Sequence, residues 1–169
     1  NLDFTVVHVD VDETPLDGEG PDGMVLRLAV AKAEAAAIGP GHVSLGADTA
    51  VVIDGRILGK PVDEADCLAM LAALSGRGHK VLTGVALGGA DGTRTALSAT
   101  DVYFREISRD EALAYWQSGE PCDKAGAYAI QGLGGAFVER IEGSYSGVVG
   151  LPVFETLALL NEAGLGLMT

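Results

Sequence analysis

Residues Phe4 to Val11 alternate apolar and polar positions and are rich in valine, a period of two that predicts a strand. The Gly, Pro and acidic stretch from Pro15 to Asp22 then predicts a surface loop. The period next becomes helical: Asp22 stands as cap, Val25, Leu28, Ala29 and Lys32 share one face, and an alanine-rich run reaches Ile38 before Gly39-Pro40 stops it. Val43 to Ile53 predicts a second strand, which Asp54-Gly55 turns back into Arg56 to Leu58. After Gly59, Lys60 and Pro61, Asp63 caps a helix carrying Leu68, Leu71 and Leu74, and Gly76 ends it. His79 to Leu87 and Thr93 to Arg105 predict two strands joined at Asp91-Gly92. Ser108 and Glu111 form a capping box for a helix through Trp116 that stops at Gly119. Glu120 to Ser146 has the composition of a site-forming loop, with one strand from Ala136 to Ile141, and Pro152 opens a last helix ending near Gly164.

Strands and helices in alternation predict an α/β architecture. The 169 residues, 48% hydrophobic and 21% charged, suit one globular domain or two small lobes round a cleft. Charge narrows the partners: 11 Lys+Arg against 24 Asp+Glu leave −13, a field that repels a nucleic-acid polymer or an anionic membrane surface. A phosphate-bearing ligand would therefore need a divalent cation and locally placed basic residues. Cys67 and Cys122 form no CxxC pair, and with His8, His42 and His79 they lack the spacings of a zinc site. A reduced, cytoplasmic compartment is the expectation. No apolar run approaches about 18 residues and no basic segment precedes an apolar one at the start, so neither a membrane span nor a secretion signal is expected.

Two apparent motifs fail on spacing. Gly55, Gly59 and Lys60 have three residues between the glycines and Pro61 after the lysine, where a phosphate loop needs four and a Ser or Thr. Gly143-Ser144-Tyr145-Ser146-Gly147 has Tyr145 where a nucleophile elbow needs serine. What remains is a set of acids and bases at the ends of elements. Asp48 lies inside the apolar run Leu45 to Ile53, where a carboxylate is costly unless it meets a cation, a donor or a metal. Glu13, in the acidic run after the first strand, could join Asp48 in holding Mg²⁺. Lys32 and Lys60 could each reach a phosphate oxygen, and Gln131 offers a donor and an acceptor to a base edge. Each also has a plain structural reading: Asp48 bonded to backbone amides, Glu13 in a solvated loop, Lys32 solvated on its helix. Cys67 and Trp116 read as packing residues, Cys122 has no visible base partner, and His79 either touches the site or caps a strand.

The residues also carry a family resemblance. Gly46-Ala47-Asp48-Thr49, Gly59-Lys60-Pro61, Leu74-Ser75-Gly76 followed by His79, Thr83-Gly84-Val85, Asp123-Lys124-Ala125-Gly126-Ala127-Tyr128, Ile130-Gln131-Gly132, Gly143-Ser144-Tyr145 and Val149-Gly150-Leu151-Pro152 stand in the order and spacing of the Maf family. The resemblance runs from Asp12-Glu13 to the final helix. It implies an elongated α/β, mixed-sheet Maf/ITPase-like fold with two lobes round a central cleft, and a nucleoside triphosphate pyrophosphatase that cleaves between the α- and β-phosphates. Thr49 after the motif Asp, and Gln131 in Ile-Gln-Gly, resemble the branch acting on dTTP and UTP; the 7-methyl-GTP branch usually has Gln and Glu there. The resemblance makes Asp48 the acceptor of the water proton, gives Glu13 and Asp48 to Mg²⁺ or Mn²⁺, sets Lys32 and Lys60 on the phosphate chain, and has Thr49 and Gln131 read the base. It also implies a homodimer.

One departure stands out. The family's N-terminal strand and Ser/Arg-rich loop, of the pattern Ser-x-Ser-Pro-Arg-Arg, do not precede Asp12-Glu13, so the expectation is one Maf-like domain over residues 1–169 that has been trimmed. Two other functions stay open on the sequence. One is a non-catalytic nucleotide-binding regulator of cell division and septum formation, favoured by the missing loop. The other is a pyrophosphatase for 7-methyl-GTP or other non-standard triphosphates.

Overall fold

The computed structural model describes residues 3–36, 39 and 41–166. In chain order its elements are α1 (Pro21–Ala35), β1 (Ser44–Ile53), β2 (Arg56–Leu58), α2 (Glu64–Leu74), β3 (Gly78–Gly89), β4 (Gly92–Phe104), α3 (Arg109–Gln117), β5 (Val138–Glu142), α4 (Tyr145–Val149) and α5 (Val153–Glu162). The strands form one five-stranded sheet in the order β2-β1-β3-β4-β5, and every pairing among the described residues is antiparallel. Local turn chemistry explains the two hairpins. Asp54 and Gly55 both take positive φ between β1 and β2, and Gly92 does so between β3 and β4.

Strand alternation assigns the two faces. Even-numbered residues of β1 and β3 meet α1: Ala50 and Leu82 pack with Val25, and Ala86 with Ala29 and Ala33. Two glycines let the helix lie close. A Cβ on Gly46 would stand 2.2 Å from the Ala29 carbonyl oxygen, and one on Gly84 would stand 2.5 Å from that of Val25. The odd face carries the larger core, where Val51, Val81, Val102 and Phe104 pack with Leu71 and Leu74 of α2 and Tyr115 of α3. Further along the same face Val85 and Leu87 pack with Leu159 and Leu160 of α5.

Three expectations are corrected. Residues 4–11 form no strand; the chain there is irregular, with Phe4 84% and Val6 69% exposed, because alternation becomes a strand only where an edge offers hydrogen bonds and an apolar surface. Asp22 does not cap α1. Gly20 is the N-cap and Pro21 takes the first helical position, where its missing N–H costs nothing, so Asp22 falls in the first turn. The 120–146 segment is more ordered than a loop, containing short 3₁₀ turns at Glu120–Asp123, Ala125–Ala127 and Leu133–Phe137 ahead of β5. The expected end of the first helix at Ile38 and the stop at Pro40 lie outside the described residues.

Candidate active site

A cleft of about 570 Å³ opens where β1 reaches the edge of the sheet. β2 pairs only with Val51–Ile53, so Ala47 to Ala50 carry β3 on one side and border the cleft on the other. All six residues singled out in the sequence, Glu13, Lys32, Asp48, Thr49, Lys60 and Gln131, line it. They arrive from five separate stretches of chain.

On the α1 face, Lys32 Nζ lies 2.7 Å from Asp48 Oδ1 and 2.7 Å from Glu13 Oε1. This triad exists because α1 sits against Gly46 and Gly84, which brings the last turn of the helix over Asp48. The two carboxylates respond oppositely. Burial pushes the Asp48 carboxyl above its ordinary value, with Lys32 opposing, since its side chain is only 10% exposed. Glu13, 48% exposed, is drawn below its ordinary value by the hydrogen bond from Lys32. Burial alone would lower the Lys32 ammonium, but its bonds to Asp48 and Glu13 outweigh that and raise it. Lysine and aspartate thus both move up: the pair strengthens the cation more than burial weakens it, whereas for the carboxylate burial wins. Lys60 is exposed on the loop after β2, where the Gly59 carbonyl accepts from Gly126 N at 3.0 Å. Its field acts on Glu13, Asp48 and Asp123.

Thr49 points to the opposite face, as strand alternation requires. Its Oγ1 lies 2.9 Å from that of Thr83, directly across on β3, and Thr83 Oγ1 donates to the Gly147 carbonyl of α4 at 2.8 Å. The serines of the failed elbow motif are capping groups: Ser144 Oγ accepts from Gly147 N at 3.0 Å and Ser146 Oγ from Val153 N at 3.0 Å.

Gln131 is exposed at the cleft rim, and its loop is held by a residue that sequence reasoning missed. Glu120 Oε1 accepts from Tyr115 OH at 2.7 Å and Gly134 N at 3.0 Å, while Oε2 accepts from Leu133 N at 2.9 Å. Tyr115 OH in turn accepts from Ala129 N at 3.0 Å. A Cβ on Gly132 would meet Glu120 Oε2 at 2.1 Å, so glycine there lets the carboxylate keep these bonds. The signal in the sequence was the glycine of Ile130-Gln131-Gly132, but nothing local pointed to Glu120.

His79 neither enters the cleft nor caps its strand. It is 4% exposed, with Nε2 2.9 Å from the hydroxyl of Tyr128, a cleft-lining residue, and its ring edge-on to Phe104. Burial lowers its pKa to about 4. Cys67, on α2, is buried in the larger core, Trp116 packs on the same cluster, and Cys122 is exposed.

The family model described as a Maf-like protein matches residues 1–163. The chain belongs to the Maf family. Relatives named dTTP/UTP pyrophosphatase include one from Hahella chejuensis, 52% identical over 167 residues, covering 96% of this chain and 83% of that protein. A second, from Shewanella sp. (strain MR-7), is 54% identical over 166 residues, covering 96% and 86%. A third, from Methylobacillus flagellatus, is 49% identical over 167 residues, covering 97% and 84%.

The Maf cleft can be tested for the divalent metal its chemistry implies. No group of three or more His, Cys, Asp or Glu side chains converges among the described residues, so these residues offer no full metal cage. Two carboxylates that already share one cation, Lys32, do converge. That donor set fits Mg²⁺ or Mn²⁺, which commonly take one or two carboxylates and complete their shell with substrate phosphates and water.

Proposed function

We propose that this Maf protein hydrolyses dTTP and UTP to the nucleoside monophosphate and pyrophosphate. The observation that carries the reading is one cleft that holds a largely buried carboxylate and two lysines together with a hydroxyl and an amide. The relatives, about half identical over most of the chain and named dTTP/UTP pyrophosphatase, support the substrate class.

Phosphoanhydride cleavage is mainly a matter of positioning and charge neutralisation. In the proposed reaction a water oxygen bonds to the α-phosphorus, the bond from that phosphorus to the bridging oxygen breaks, and pyrophosphate leaves with the oxygen. Asp48 accepts the proton that the water loses, and its burial above the ordinary aspartate range makes it a better base than an exposed carboxylate. Lys32, released from the two carboxylates, and Lys60 take the phosphate oxygens. Thr49 and Gln131 bind the pyrimidine edge. Mg²⁺ or Mn²⁺, held by Glu13 and Asp48 together with phosphate oxygens, would supply charge neutralisation. A free nucleotide substrate supports a cytoplasmic location. No helix among the described residues is long and apolar enough to cross a membrane.

The test is pyrophosphate release from dTTP, UTP, 7-methyl-GTP and ATP with Mg²⁺, with Mn²⁺ and with chelator. Metal-dependent release favouring dTTP and UTP is expected, and Gln131→Glu should move the preference toward 7-methyl-GTP. Release that persists in chelator removes the metal assignment, and equal release from all four nucleotides removes the base assignment.

A further inference from the structure

We propose that Thr83, which does not reach the cleft itself, fixes the hydrogen-bonding polarity of Thr49 and so makes the site select a pyrimidine that donates at N3 over one that accepts there. The inference rests on the dTTP/UTP reading and concerns how that site tells uracil and thymine from cytosine.

A hydroxyl has one proton and two lone pairs. Thr83 is fully buried, and its Oγ1 lies 2.8 Å from the Gly147 carbonyl oxygen, which can only accept. Its proton is committed there. The second contact of Thr83, 2.9 Å to Thr49 Oγ1, must therefore be made with the proton of Thr49. Thr49 has then spent its single donor inward and turns only lone pairs to the cleft it lines. The arrangement is held from both sides. Thr49 and Thr83 are register partners on β1 and β3, and the accepting carbonyl belongs to α4, whose first turn Ser144 caps. Gly150 leaves space beside Thr49, since even a Cβ there would lie 3.5 Å from Thr49 Oγ1.

An acceptor-only hydroxyl distinguishes two pyrimidines of nearly identical shape. Uracil and thymine carry N3–H, which such a group accepts; cytosine presents a lone pair at N3, which it repels. Gln131 cannot enforce this choice alone, because its amide bears a donor and an acceptor and can turn over to suit either base. Thr83 is thus a positioning residue, acting through Thr49.

The experiment compares the intact chain with Thr83→Val, of the same shape but without a hydroxyl, and with Thr83→Ser, which restores it. The readouts are kcat and KM for UTP and CTP, and calorimetric binding of UMP and CMP. Thr83→Val frees the Thr49 proton to turn into the cleft. The UTP-over-CTP ratio of kcat/KM should then fall about tenfold, the scale of one hydrogen bond, through KM rather than kcat, and Thr83→Ser should recover it. A folded Thr83→Val whose ratio stays within about twofold of the parent overturns the proposal, as does a serine variant that behaves like valine. Should Thr83→Val fail to fold, Thr83→Ala carries the test with Thr49 intact: an unchanged UMP-over-CMP preference overturns the proposal and a collapsed one upholds it. The binding arm separates this inference from the hydrolytic reading. UMP preference without pyrophosphate release strikes the hydrolytic reading alone, whereas equal binding of UMP and CMP by the parent chain strikes this one.

Discussion

Glu120→Gln isolates the interaction that holds the loop carrying Gln131. The substitution keeps shape and size but replaces one carboxylate oxygen with an NH₂. If the amide oxygen takes the Oε1 position it keeps Tyr115 OH and Gly134 N, and the NH₂ then faces the N–H of Leu133. One charge-assisted bond is lost and two donors confront each other, a change that costs about 1–3 kcal/mol where neither can reach water. Leu133 is 61% exposed, so water relieves part of this and about 1–2 kcal/mol is the expectation. For a chain of this length that corresponds to a fall in Tm of about 2–8 °C. Gln131 lies inside the tethered segment, while Asp48, Lys32 and Lys60 stand on other elements. The functional effect should accordingly be a several-fold rise in KM for UTP with kcat nearly unchanged, read by steady-state pyrophosphate release beside thermal unfolding. A variant with parental Tm and parental KM would refute the reasoning. A fall in kcat at unchanged KM would show that Glu120 takes part in the chemistry instead.

Two further predictions concern groups under the cleft. Asp48→Asn should lower kcat by about 10²–10⁴, the range for loss of a general base, and leave circular dichroism intact because Lys32 keeps Glu13 as partner; near-parental turnover would remove Asp48 as base. His79 is held neutral with its pKa depressed from 6.5 to about 4, so the unfolded chain binds more protons between those values and stability rises with pH across that window. Its contribution is complete above about pH 6.5 and is lost on acidification toward pH 4, amounting to about 3 kcal/mol at 1.36 kcal/mol per pH unit. Denaturant unfolding at pH 4.5 and 7 should show this difference in the parent and a clearly smaller one in His79→Phe; equal differences would mean that other groups carry the acid sensitivity.

The parts of the fold legible in the sequence are those whose cause is local. Asp54-Gly55 satisfies two consecutive positive φ angles by itself, and the box of Ser108 and Glu111 closes within one helical turn, so both appear as expected. Where the cause is distant, pattern misleads or is silent. Phe4 to Val11 carries a strand's alternation without a strand to join, and Glu120 looks like an ordinary surface acid until the fold brings residues 129–134 across it. Among the site residues, Asp48 was visible because a carboxylate inside an apolar run demands an explanation. Lys32 taken alone read as a solvated lysine, because the glycines that let its helix reach Asp48 lie outside that helix, at Gly46 and Gly84.

Strand alternation explains how one strand could serve both halves of the proposed nucleotide substrate. Asp48 and Thr49 are consecutive, so their side chains leave β1 on opposite faces, one toward α1 and the other toward α4. A central strand could not bring both to one ligand, because its neighbours would wall the faces apart. β1 can, because β2 covers only Val51 to Ile53 and leaves the preceding stretch at the edge, where the cleft reaches both faces. In the proposed reaction a nucleotide would bend round the strand edge, with its phosphates among Glu13, Lys32, Asp48 and Lys60 and its base beside Thr49 and Gln131. A different layer of the protein would tune each end: the close approach of α1 sets the charge round Asp48, and Thr83 with α4 sets the polarity of Thr49. Lengthening β2 along β1 by two or three residues would close this edge and abolish the site without touching any of its side chains.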